Sequence, residues 1–186
     1  MISAAITLAL PAWIDDEIDP AHAHASDAER VALAIRLARR NVAEGSGGPF
    51  GAVVFDEGGR VIAAGVNRVL PEACSVAHAE IMALAVAQTR LGRPRLNQDG
   101  RRYTLASSAQ PCCQCYGASF WAGIDELLVG ARSCDVMELG GFDEGPLPAD
   151  WIGELERRGI SLRRDILREQ ARDVFRLYAS AGGSGY

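Results

Sequence analysis

No apolar run in this sequence approaches the roughly 20 residues needed to cross a bilayer, so no membrane-spanning helix is expected. The start, Met1-Ile2-Ser3 and an apolar stretch to Leu10, lacks the basic opening of a signal peptide. Pro11, Asp15 and Asp16 follow without a small-residue cleavage pattern, and a cytoplasmic protein is expected. Positive charge is outweighed: 19 basic against 24 acidic residues leave a formal charge of −5. Each phosphate contact needs a cation, so a nucleic acid is a poor candidate partner and a small, neutral or weakly charged substrate a better one. Internal repeats and inter-domain linkers are absent, and a single domain over 1–186 is expected. A full set of disulfides is excluded as well, because the five cysteines are odd in number. Three of them crowd together at Cys112, Cys113 and Cys115, which in a reducing compartment points to metal ligation.

What is present alternates strand and helix signals. Residues 1–26 read as an arm with little periodicity. Asp27 is a plausible N-cap for a helix to about Glu44, with Val31, Ala34, Ile35 and Leu37 as its apolar face. Phe50–Phe55 and Val61–Val66 form a hairpin around Asp56-Glu57-Gly58-Gly59. A helix is expected from near Ala77 to Leu91, stopped by Gly92 and Pro94, then a strand at Tyr103–Ala106. Pro111 suits the first helical position of a segment that runs to about Trp121 and closes at Gly123. Glu126–Val129 is the next strand. Leu139–Pro148, rich in Gly and Pro, reads as a functional loop. Helices over 149–158 and 165–178 flank an extended piece near Ile160–Leu162, and 179–186 is a flexible tail ending in Tyr186. This order predicts an α/β fold, a three-layer α/β/α sandwich around a mixed sheet.

Two motifs carry chemistry: His78-Ala79-Glu80, and Pro111-Cys112-Cys113-Gln114-Cys115. H-x-E followed by P-C-x-x-C is the signature of zinc nucleobase deaminases. Zn²⁺ favours a tetrahedral site of Cys and His, and a catalytic site uses three protein ligands plus water. His78, Cys112 and Cys115 supply the three. A helix start lowers the cysteine pKa values, because its unpaired amides make that end positive. Three positions apart, Cys112 and Cys115 share a helical face, and Cys113 does not. Glu80 is expected beside the bound water, whose pKa zinc lowers to roughly 7, as the group that moves protons. Cys112 and Cys115 alone would also fit a redox pair or half of a structural zinc site. A four-cysteine site needs a second pair, and Cys74 and Cys134 are isolated.

The sequence resembles the bacterial guanine deaminase branch of the cytidine deaminase-like superfamily. The matching stretches are 48–50, 65–69, 77–81, 111–118 and Gly141-Phe142-Asp143-Glu144-Gly145-Pro146. The zinc motifs identify the superfamily; the Phe-Asp-Glu-Gly-Pro loop and the terminal tyrosine point to the branch. The resemblance implies Zn²⁺, a nucleobase substrate, and a homodimer, in some relatives with swapped C-terminal segments. It makes Phe50 an aromatic against the base, Asn67 a hydrogen-bonding partner of the ring edge, and Ala79 part of the substrate-binding set. Glu144 becomes a second pocket carboxylate with Asp143 as runner-up, and Tyr186 part of a lid. Trp121 is left as either a pocket wall or a core residue. The family usually has a glutamate where Gln110 stands, which touches the tuning of the zinc site.

Guanine is therefore the expected substrate, with another amino-substituted ring, an aminotriazine or cytosine, as the alternative. A tRNA adenosine deaminase shares the motifs but predicts a basic face. A non-catalytic zinc domain predicts no need for Glu80. His22 and His24, two apart in the arm, are not expected to form a second metal site.

Overall fold

The computed structural model describes residues 5–185; the expectations for Tyr186 lie outside them. Five strands form one mixed sheet: β1 (Gly51–Asp56), β2 (Val61–Val66), β3 (Tyr103–Ala109), β4 (Glu126–Ala131) and β5 (Ser161–Arg163), in the order β2-β1-β3-β4-β5. β1 is antiparallel to β2 and β3, whereas β3, β4 and β5 run parallel, so the sheet changes sense at β3. The helices are α1 (Asp27–Ala43), α2 (Ala79–Leu91), α3 (Cys113–Ala122), α4 (Ser133–Gly140), α5 (Trp151–Arg157) and α6 (Arg168–Ser180).

The helices cover both faces, because the strands are apolar on both. One buried cluster joins Leu33 and Leu37 of α1 and Phe175 of α6 to Val53 and Phe55 of β1. The other joins Ala83 and Leu84 of α2 to Val54, Leu105 and Val129 on the opposite face. Each buried Leu, Val or Phe among these contributes about 1.5–3 kcal/mol. This is the expected α/β/α sandwich. Among the described residues no helix is long and apolar enough to cross a membrane.

Several local expectations shift. The cap of α1 is Ser26, not Asp27: Ser26 accepts from the Glu29 amide at 3.2 Å, and Glu29 accepts from the Ser26 amide at 3.1 Å. That reciprocal pair satisfies two otherwise orphaned donors. α3 starts at Cys113 with Cys112 as its cap, so Pro111 precedes the helix. The arm is not featureless. Ala12–Glu17 forms a 3₁₀ turn, Ile14 is buried, and Ala23 bridges to Arg60. The expected loop begins only at Gly141, since 139 and 140 end α4.

Close backbone approach fixes α2. A methyl on Gly65 of β2 would overlap the Ala79 carbonyl and the Ala83 amide, so glycine lets the first turns of α2 lie directly on the sheet. His78 caps that helix and Glu80 is its second residue. α3 starts just past the end of β3, and the two helix starts face one another across the strand ends.

Candidate active site

Among the described residues, one group of His, Cys, Asp and Glu side chains is close enough to share a metal ion: His78, Cys112 and Cys115, with ligand atoms all within 4.8 Å of one another. His78 Nδ1 lies 3.4 Å from Cys112 Sγ and 3.6 Å from Cys115 Sγ. A tetrahedral zinc with Zn–S of about 2.3 Å and Zn–N of about 2.0 Å spaces nitrogen and sulfur about 3.5 Å apart. The donors and their spacing fit that ion. Cys113 points away and is exposed.

Charge in the cluster is strongly shared. The Cys115 thiol beside Cys112, helped by His78, holds Cys112 down at about 4. The same contact and burial push Cys115 well up. Burial works against charging His78, but Cys112 and the nearby carboxylates outweigh it and raise its pKa. Zinc requires both sulfurs as thiolates.

Glu80 is buried beside these ligands. Its Oε1 accepts from Ser107 Oγ at 3.1 Å, and its Oε2 lies 3.4 Å from Cys115 Sγ. Burial, and then the Cys112 thiolate, raise its pKa above the ordinary carboxylate range. A raised pKa makes the carboxylate a stronger base toward a water proton.

Above the cluster opens a cavity of about 320 Å³, lined by His78, Glu80, Cys112, Phe50, Asn67 and Glu144 among others. Asn67 is almost wholly buried, and its amide N–H bonds to the Phe50 carbonyl at 3.1 Å, which ties these two pocket residues together. Asn41 of α1 locks the same corner, donating to the carbonyls of Gly48 at 2.8 Å and Asn67 at 2.9 Å. Phe50 is set edge-on against Phe142 at 4.9 Å, and Phe142 stacks on Tyr178 of α6.

The Gly141–Pro148 loop supplies the far wall. Glu144 is 9% exposed, and burial, Cys112 and Glu80 together lift its pKa to about 8. Asp143 is exposed at the rim, where it caps the Gly145 amide at 2.9 Å. Glu144 is thus the inward carboxylate of the pair. The backbone N–H of Cys113 bonds to the Glu144 carbonyl at 3.0 Å, pinning this loop to the start of α3.

Two expected pocket residues do not line the cavity with their side chains. Trp121 is 72% exposed on the outer face of α3, in a groove with Ile81, Leu84 and Ala118, and is neither pocket wall nor core. Ala79 is fully buried, so only its backbone can face a ligand; its N–H opens α2, where amides lack intrahelical partners. The structure adds Val69, Ser75, Gln110 and Phe142 to the lining. Of these, only Gln110 stood out in the sequence by chemistry; the rest come from loops without periodic signal.

The pattern of the cytidine and deoxycytidylate deaminase zinc-binding region matches residues 24–131. The chain belongs to this zinc deaminase family. Guanine deaminase from Bacillus subtilis is 38% identical over 136 residues, 73% of this chain and 83% of its own length. A solved guanine deaminase from Nitrosomonas europaea is 41% identical with a TM-score of 0.91, covering 97% of this chain and 99% of that one. A crystal structure of the protein NE0047 in complex with 2,6-diaminopurine is 42% identical, with a TM-score of 0.91, covering 98% and 96%. As a member of the family this protein is a zinc-dependent hydrolytic deaminase, with His78, Cys112 and Cys115 fitting the zinc.

Proposed function

We propose that this deaminase converts guanine and water to xanthine and ammonia. The observation that carries it is the reach of the likeness. The zinc-binding region ends at residue 131, yet the Nitrosomonas guanine deaminase matches through the Phe142–Glu144 wall and α6 to nearly the whole chain. The guanine deaminase relatives do not favour the alternative ring, cytosine or an aminotriazine.

When bound, zinc supplies Lewis acidity that makes a water acidic near neutral pH. The chain's own residues do the rest. Glu80 takes a proton from the attacking water, passes it to a ring nitrogen, and delivers one to the departing amine. Phe50 covers the ring face. Asn67 and Glu144 face its polar edges, where an amide offers donor and acceptor and a carboxyl offers either according to its proton. The opening amide of Ala79 donates to the substrate. Asp143 acts at the mouth.

The apolar groove around Trp121 supports a homodimer, and the acidic balance of the chain favours a free base over RNA. Five free cysteines support a reducing cytoplasm.

The test is ammonia release by the zinc-loaded protein from guanine, guanosine, cytosine, adenine and aminotriazines. Release from guanine far above the others is expected. Release from another ring alone, or from none, overturns the proposal.

A further inference from the structure

β3 is buried along its whole length, and the packing separates its two faces. Tyr103 and Leu105 join the layer under α2 and α3, and Ala106 joins the opposite one. Strand alternation places Ser107 with Tyr103 and Leu105. Its register neighbours on that layer are Ala52 of β1 and Val129 of β4. Ser107 is therefore a lone hydroxyl in an apolar row, 2% exposed. A hydroxyl there is costly unless bonded, and its partner is Glu80 Oε1 at 3.1 Å.

We propose that Ser107 is a positioning residue: it anchors Glu80 Oε1, so that Oε2 is the oxygen that carries the proton. This rests on the role given to Glu80 above. Ser107 Oγ is the donor and Glu80 Oε1 the acceptor. The terminal torsion of a glutamate is broad and two-fold, and a free Glu80 presents either oxygen to the reacting atoms. Ser107 removes that equivalence. Its hydroxyl hangs from a central strand paired on both sides, the most rigid support available. The other oxygen, Oε2, accepts from the Cys115 thiol at 3.4 Å, a bond that ends once zinc takes that sulfur as a thiolate, whereas the bond from Ser107 persists. Glu80 must hand protons to two places in one turnover, and a fixed carboxylate plane spares the cost of reorienting each time.

The experiment compares Ser107→Ala, Ser107→Thr and Ser107→Val in the zinc-loaded protein. Thr and Val have nearly the same shape and differ by the hydroxyl, which separates hydrogen bonding from packing. Ser107→Ala and Ser107→Val are expected to lose about tenfold to a hundredfold in kcat, the worth of a hydrogen bond to a charged group. KM stays within about twofold, because the loss falls on the transition state. Zinc content is unchanged, and Ser107→Thr recovers most of the lost rate. Crystal structures of the variants show the Glu80 carboxylate rotated in Ser107→Val and in its parental plane in Ser107→Thr. Equal kcat for Thr and Val, or parental kcat in Ser107→Ala, overturns the inference. If the parent releases no ammonia from guanine, the substrate reading fails, and the Glu80 carboxylate in the crystal structures still decides for or against Ser107.

Discussion

Replacing Gly65 by alanine tests whether the placement of α2 governs catalysis. No positive φ makes glycine necessary at this position; the obstacle is space. The new methyl would overlap the Ala79 carbonyl and the Ala83 amide, with Met82 Cβ at 3.0 Å. All three belong to the first turns of α2, so no single flexible side chain can yield. Carbon–oxygen contacts settle near 3.5 Å, and the helix start must retreat by roughly 1 Å. His78 and Glu80 ride on that start, while Cys112 and Cys115 ride on α3 and stay. A misplacement of about 1 Å in a catalytic group costs on the order of a hundredfold. Overpacking adds about 1–3 kcal/mol of destabilisation, which for a chain of this size lowers Tm by roughly 3–10 °C. A coupled ammonia assay with thermal melting and a zinc titration reads both effects. Gly65→Ala is expected to remain folded and to lose about two orders of magnitude in kcat. A kcat within about threefold of the parent, beside a clearly lowered Tm, would refute the reasoning: the helix would have moved without disturbing the site.

Glu80→Ala should abolish turnover while zinc stays bound, because Glu80 is no ligand; residual activity near the parent's sinks the proton-transfer role. Glu144 carries its own pH signature. Its folded pKa of about 8 stands above the ordinary 4.5, so the folded chain keeps a proton that the unfolded chain has released. Stability contributed by the protonated group is full at low pH and is lost as pH rises through that window. In metal-stripped protein, Glu144→Gln should lower the fall in Tm between pH 5 and 8, and parallel curves would contradict this. Deleting the residues from Gly182 onward should depress catalysis far more than Tm, with an unchanged rate removing the lid. Trp121→Glu should halve the mass seen in sedimentation, and an unaltered mass would place the dimer contact elsewhere.

Much of the site was legible because its chemistry is local in sequence. His78 and Glu80 sit two apart at a helix start, and Cys112 and Cys115 three apart at another, so short motifs name them. Glu144 over Asp143 was not legible, because adjacent loop residues carry no period that says which faces inward. α4 was missed for a different reason. It is short, and its Asp135 is buried between Arg168 and Arg172 of α6, partners more than 30 positions away. Ser26 was readable from Ser26-Asp27-Ala28-Glu29, but Asp27 beside it is an equally good cap former. Trp121 misled because aromatic bulk reads as interior. Asn41 carried a signal that went unused: a polar side chain among the apolar positions of α1, where only a buried hydrogen-bonding task accounts for it.

The late position of α6 has a consequence for biosynthesis. Its side chains Ala171, Val174, Phe175 and Tyr178 complete the same buried layer as α1, the first helix of the chain. That face of the sheet is therefore covered by α1 alone until α6 has been made. All three zinc donors, by contrast, have been made by Cys115. A nascent chain thus owns its metal ligands well before it owns the aromatic wall that Phe142 and Tyr178 build over them. Metal capture and pocket closure are separate events in time, and a ribosome stalled after β4 would hold the first without the second.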